Sequence, residues 1–182
     1  MKRQAIILAA GKGTRMKTNV PKCAFPILKK PMIEYSIEAL ERAKIEKIIT
    51  VVGHKKEVFF ELLSSRVEYA IQEEYLGTAH AVKQVSNNSY DDDSITLIIP
   101  GDMPLISSPL IERLFKAHEE MENDLTVVSV EVSNPRGYGR IERNEYNQPV
   151  SIIEDRDCNA KQKNIKEINT GTYIIKTSLL FK

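Results

Sequence analysis

Six consecutive apolar residues, 5–10, run up to Gly11. A run this short, apolar throughout and stopped by glycine, predicts a strand covered on both faces. Residues 11–21 carry no apolar period and predict a loop. Ile33, Ile37 and Leu40 then recur at helical spacing, which predicts a helix over 32–43 with one apolar face. A second buried strand is predicted at Lys47–Val52, closed by Gly53, and a second helix around 58–63. A short strand at 67–71, a helix at 78–85, a polar loop at 87–93, an apolar strand at 95–99 and a helix at 109–121 follow. Pro109 sits in the first turn of that last helix, where its missing N–H costs nothing.

Strand and helix therefore alternate over the first two thirds. That order predicts an α/β fold with a mostly parallel central sheet flanked by helices and joined by right-handed crossovers. The pattern changes beyond residue 123. Segments 125–132, 139–143, 150–154 and 170–175 are strand-like, with turn residues between them. The expectation is a single domain of two parts, 1–123 as the α/β body and 124–182 as a smaller β-rich extension. There is no internal repeat. Residues from Ser178 onward read as a helix start, so the chain is expected to be a cut piece of a longer protein.

Composition narrows the function classes. A chain of 182 residues is long enough to hide about 70% of its unfolded surface. Lys plus Arg number 26 and Asp plus Glu 25, a formal charge of +1, so no broad field for nucleic acid exists. Cys23 and Cys158 are too few for a disulfide scaffold and are expected to remain thiols. Neither a membrane span nor a signal peptide is legible, which makes a cytoplasmic location the expectation.

The chemistry gathers after the first strand, in Leu8-Ala9-Ala10-Gly11-Lys12-Gly13-Thr14-Arg15-Met16 and on to Pro21-Lys22. Two glycines let backbone N–H groups approach an anion, and Lys12, Arg15 and Lys22 bring charge to the same loop. Together they suit phosphates. The loop lacks the Lys-Ser/Thr ending of a Walker loop, and Met16 stands where a dinucleotide fingerprint needs its third glycine. Ligands of open parallel sheets bind beyond the carboxyl ends of the strands. Three such ends are expected on one edge: this loop, Gln72 with Gly77-Thr78, and Pro100-Gly101-Asp102. Asp102 is the candidate Mg²⁺ ligand, since that cation is commonly held by one or two carboxylates plus substrate phosphates. His54, His80 and His118 have no metal-site spacing and read as structural or exposed. Gly139, Glu154 and Asn169 offer a turn, a carboxylate and an amide suited to sugar hydroxyls.

These residues resemble the sugar-nucleotidyltransferase superfamily over nearly the whole chain. The resemblance is strongest to the uridylyltransferase domains of the bacterial bifunctional enzymes that make UDP-N-acetylglucosamine. "LAAGKGTRM" with Pro21-Lys22 marks the superfamily. "GTAHA" at 77–81, "GYGRI" at 137–141 and "EINTG" at 167–171 point to that branch. The resemblance implies a Rossmann-like nucleotidyltransferase fold with a β-rich sugar-binding extension, in which Leu8, Ala9, Ala10 and Gly11 line the nucleotide site. It further implies that Gln72 and Gly77 read uracil with Thr78 beside them, and that Arg15 and Lys22 are catalytic on the phosphates. Asp102, after Gly101, would bind Mg²⁺, and Gly139, Glu154 and Asn169 would hold the sugar. The implied partners are UTP, N-acetylglucosamine 1-phosphate, UDP-N-acetylglucosamine and pyrophosphate, in the synthesis of peptidoglycan and lipopolysaccharide precursors. A trimer through a hexapeptide-repeat acetyltransferase domain, whose repeats are absent here, is implied for the parent enzyme. So is a second protein metal ligand beyond residue 182. A nucleotidyltransferase for another sugar 1-phosphate, or a binding module without turnover, remains an alternative reading.

Overall fold

The computed structural model describes residues 1–11, 13, 16, 18–87 and 93–180. Two compact units emerge, one of Met1–Thr126 with Ile174–Lys182, the other of Val127–Tyr173. Among the described residues no helix is long and apolar enough to cross a membrane.

The first unit is built on four parallel strands: β1 (Arg3–Leu8), β4 (Lys47–Val52), β5 (Glu68–Ile71) and β6 (Ile95–Pro100). Their order is β5-β4-β1-β6, so the first apolar run of the chain lies inside the sheet. Leu8 pairs with Val51 on one side and Pro100 on the other, which brings the carboxyl ends level. Helix α1 (Met32–Arg42) buries Ile33, Ile37 and Leu40, the three positions picked out by its spacing. Helix α2 (Lys56–Leu63) buries Phe59 and Leu63, and α4 (Ser108–Glu120) buries Ile111 and Phe115. Ser107 caps α4 by accepting from the Leu110 N–H at 3.4 Å. These side chains join alternate β1 residues, Ala5 and Ile7, in one core cluster. Ile6, Ile49 and Val51 are buried as well, on the opposite side of the pleat. Coverage of both faces is why these strands read as unbroken apolar runs.

Three features depart from the pattern along the chain. A small antiparallel hairpin, β2 (Pro26–Ile27) with β3 (Lys30–Pro31), fills a stretch to which the periodicity assigned no element. Helix α3 (Thr78–Lys83) ends two residues early and tightens into a 3-10 turn at Gln84–Asn87. Of the expected polar loop, residues 88–92 lie outside the described residues. Near the end of the chain, Thr177 packs into the first unit. Its N–H donates to the Ser94 carbonyl at 3.0 Å, and its hydroxyl lies 2.7 Å from those of both Ser94 and Thr96. Gln4 donates to Thr96 and Thr177 from the same buried cluster.

Strand β7 (Leu125–Glu131) leads into the second unit, which also holds β8 (Arg140–Arg143), β9 (Pro149–Ile153) and the first part of β10 (Glu167–Lys176). β8 pairs antiparallel with β9 and with β10. Its buried interior is slight: Ile141, Ile168, Cys158 and Thr172 with Arg140. Ion pairs add to it. Arg143 grips Glu167 with two hydrogen bonds of 2.7 Å, and Arg140 donates to Asp155 at 2.7 Å.

Candidate nucleotide cleft and sugar-facing cluster

A cleft of about 270 Å³ opens at the carboxyl edge of the first unit's sheet. Leu8, Ala10, Gly11, Gln72, Gly77 and Thr78 line it, together with Tyr75 and Ala81. Six residues chosen from separate sequence motifs thus meet around one space. They do so because β1 and β5 end on the same edge: Ala9 N–H donates to the Val51 carbonyl at 2.9 Å, and Gln72 N–H to the Val52 carbonyl at 2.8 Å. Ala9 itself is buried and does not line the space.

Gln72 is only 4% exposed, yet its side chain reaches the cleft wall. Its Nε2 donates to the Gly77 carbonyl at 3.3 Å and faces His80 Nδ1 at 3.0 Å. Gly53, read from the sequence only as a strand stop, lies directly beneath. A Cβ there would stand 2.6 Å from the Gln72 carbonyl and 3.2 Å from the Tyr75 ring. Tyr75 carries no pattern of its own, Gly53 reads only as a strand stop and His80 only as a member of the GTAHA motif, and the tertiary arrangement reveals their part in the cleft.

The charged end of the site follows from β6. Gly101 N–H donates to the Leu8 carbonyl at 2.9 Å, which sets Asp102 beside the cleft's own wall residue. Lys22 Nζ forms an ion pair with Asp102 Oδ2. Lys22 is presented by a short 3-10 turn, Lys22–Ala24, and its side chain is 45% exposed. Gly13 passes so close that a Cβ would lie 2.8 Å from Lys22 Cβ, and its φ of +59° belongs to the left-handed region. Lys12 and Arg15, the other two cations of the loop, lie outside the described residues. Cys23 is buried beside this pair, and its thiol is pushed up to about 12, by burial first and then by the Asp102 charge. Such a thiol is not a nucleophile at neutral pH.

Among the described residues no group of three or more His, Cys, Asp and Glu is placed to hold a metal. Asp102 supplies a single hard oxygen donor, part exposed. That set does not fit a protein-caged ion. It does fit a cation whose other ligands are phosphates and water, the usual condition of Mg²⁺.

In the second unit Gly139, Glu154 and Asn169 also converge. Asn169 N–H donates to the Gly139 carbonyl at 2.8 Å. The Cβ position of Gly139 lies 3.6 Å from both Asn169 Cβ and Glu154 Oε1, and 3.3 Å from an Ile152 methyl. Glu154 is exposed. The Asn169 amide is already engaged, donating to the Tyr173 hydroxyl at 2.6 Å and accepting from the Gly171 N–H at 3.1 Å. Beneath the turn, Arg140 donates to the Tyr138 carbonyl and to Asp155. The guanidinium beside Asp155 holds that carboxyl below the usual aspartate range.

Residues 4–182 match the nucleotidyl transferase family. Over 181 residues the chain is 48% identical to the bifunctional protein GlmU of Acholeplasma laidlawii, covering 100% of this chain and 39% of that protein. With the bifunctional protein GlmU of Bacillus cereus it shares 44% identity, over 98% of this chain and 39% of that protein. The chain therefore spans well under half the length of these curated relatives. The crystal structure of HddC from Yersinia pseudotuberculosis complexed with GMP-PN superposes with a TM-score of 0.73 at 23% identity, over 98% of this chain and 79% of that one. That likeness is one of fold.

Proposed function

The chain belongs to the nucleotidyl transferase family, and from that premise we propose that it transfers a uridylyl group from UTP to N-acetylglucosamine 1-phosphate. The products are UDP-N-acetylglucosamine and pyrophosphate. The observation that carries this reading is the cleft itself, where Gln72 and Gly77 stand at one wall and Leu8 links the space to Asp102 and its Lys22 partner. We assign the nucleotide to the first unit. The sugar falls to Gly139, Glu154 and Asn169 of the second.

A phosphate oxygen of the sugar 1-phosphate attacks the α-phosphorus of UTP. One P–O bond forms, the bond to the β-phosphate bridging oxygen breaks, and pyrophosphate leaves with that electron pair. The attacking oxygen is already anionic, so no general base is needed. Positioning and charge neutralisation supply the rate. Lys22 presents an ammonium that an incoming phosphate can share with Asp102. Asp102 and the substrate phosphates would hold Mg²⁺, whose double charge would add to that of Lys22 in neutralising the polyphosphate.

Replacing Lys22 with alanine removes one preorganised charge contact, worth about 3 kcal/mol, or roughly a hundredfold in turnover. Pyrophosphate release by Lys22→Ala, measured against a panel of nucleoside triphosphates and sugar 1-phosphates, should fall by about that factor. Near-normal turnover would overturn the role of Lys22. A wild-type preference for a different sugar 1-phosphate would overturn the substrate.

A further inference from the structure

His80 stands between two amides. Gln72 Nε2 is 3.0 Å from its Nδ1, and Gln84 Nε2 is 3.2 Å from its Nε2. A side-chain amide nitrogen only donates, whereas a neutral imidazole has one lone pair to give. Gln84 already has an acceptor, the His80 carbonyl at 3.0 Å. The shorter contact is the one to Gln72, so we place the lone pair on Nδ1; Nε2 then carries the proton, and the 3.2 Å approach of Gln84 Nε2 is a contact between two donors, not a hydrogen bond. Gln72 then spends both amide hydrogens on protein, one on the Gly77 carbonyl at 3.3 Å and one on His80. What it has left for a ligand in the cleft is its carbonyl oxygen.

That matters because a glutamine free to turn over has no base preference. One orientation accepts from the imide N3–H of uracil. The reversed one donates to N3 of cytosine, which is a lone pair. We propose that His80 is the positioning residue that fixes the Gln72 amide with its oxygen toward the cleft, and so makes the site select uracil over cytosine. The Gly77 carbonyl assists from a longer distance. A half-buried histidine thus has a function in the cleft without touching the nucleotide. This inference rests on the uridine reading above.

The test is an equilibrium titration of the chain with UTP and with CTP, Mg²⁺ present, in three forms: wild type, His80→Phe and His80→Asn. Phenylalanine keeps the ring and removes the acceptor. Asparagine places an acceptor oxygen near the position of Nδ1. Wild type should prefer UTP by about tenfold or more, the worth of one correctly paired against one mispaired hydrogen bond. In His80→Phe that ratio should narrow to within about threefold, mainly through weaker UTP binding, and His80→Asn should restore most of it. An undiminished ratio in His80→Phe overturns the proposal, as does an equal loss in both variants accompanied by a lowered Tm, which would mark a merely structural residue. A wild-type chain with no preference for UTP overturns the uridine reading itself, an outcome distinct from a failure confined to His80.

Discussion

Single residues in this protein act mostly by holding others. Gly53 is the plainest case. An added methyl would meet the Gln72 backbone oxygen at 2.6 Å, and a carbonyl whose own N–H is tied into the sheet has little room to move. Overpacking of this kind costs about 1–3 kcal/mol. Gly53→Ala should therefore lower Tm by roughly 2–12 °C, on the scaling for domains of this size. It should also weaken nucleotide binding, read by calorimetric titration; unchanged affinity would show that the cleft tolerates the shift. Little of this was legible beforehand. Gly11 and Lys22 stood out because a glycine-cation loop suits a phosphate, and Gln72 because an amide suits a base edge, whereas Leu8 and the base-reading role of Gly77 came from the family resemblance. The parts of Gly53, Tyr75 and His80 did not stand out, even though His80 lies in the GTAHA motif, because those parts depend on how the ends of β4 and β5 and helix α3 come together. Asn169 was legible as an amide, but nothing in the sequence told that Tyr173 and Gly171 occupy both its ends.

At the scale of elements, the parallel strands and α1 were readable because burial writes a period into the sequence. The hairpin β2–β3 was not, since two-residue strands are too short to carry one. Its turn is also unusual in composition. Leu28 and Lys29 both have positive φ, +49° and +69°, the geometry of a type I′ turn normally given to Asn-Gly. Leu28 is 90% exposed there, so no packing offsets the strain. The pair is nevertheless held in place, for Lys30 bonds Glu38 at 2.8 Å and the Tyr35 hydroxyl donates to the Ile27 carbonyl at 2.8 Å. Leu28→Asn with Lys29→Gly should accordingly raise stability by about 1 kcal/mol, visible as a higher denaturation midpoint at unchanged slope. A lower midpoint would mean that the leucine makes a contact that offsets its strain.

Across the whole molecule, acid should act in two stages. His118 is 1% exposed, and its pKa is lowered below the ordinary 6.5 by burial and then by Lys176, with Glu119 and Asp124 opposing. The unfolded chain takes up a proton near that pH which the folded chain refuses, so stability falls as pH drops below about 6.5. The second stage belongs to carboxylates. Glu119 is lowered first of all by its bond to Arg3, Glu38 by Lys30 and Glu167 by Arg143. Their stabilising effect is present above the ordinary carboxylate pKa and is lost as pH falls through their depressed values. Denaturant midpoints between pH 7.5 and 5.5 should drop in the wild type and stay level in His118→Asn. A slope that survives the substitution would assign the upper stage to another group.

The buried cluster that holds Thr177 has a consequence in time. Gln4 and Thr177 are joined across 173 positions of sequence, and their partners Ser94 and Thr96 lie between. During synthesis β1, β4 and β6 leave the ribosome early, but this cluster has no hydroxyl at its centre until Thr177 appears. At about 5–20 residues per second, the roughly fifty residues after Thr126 take about 3–10 s to make. Over that interval the newborn sheet waits with Gln4, Ser94 and Thr96 unsatisfied by their last partner. Pauses in translation downstream of Thr126 would lengthen the wait, and chaperone engagement with the nascent chain should concentrate there.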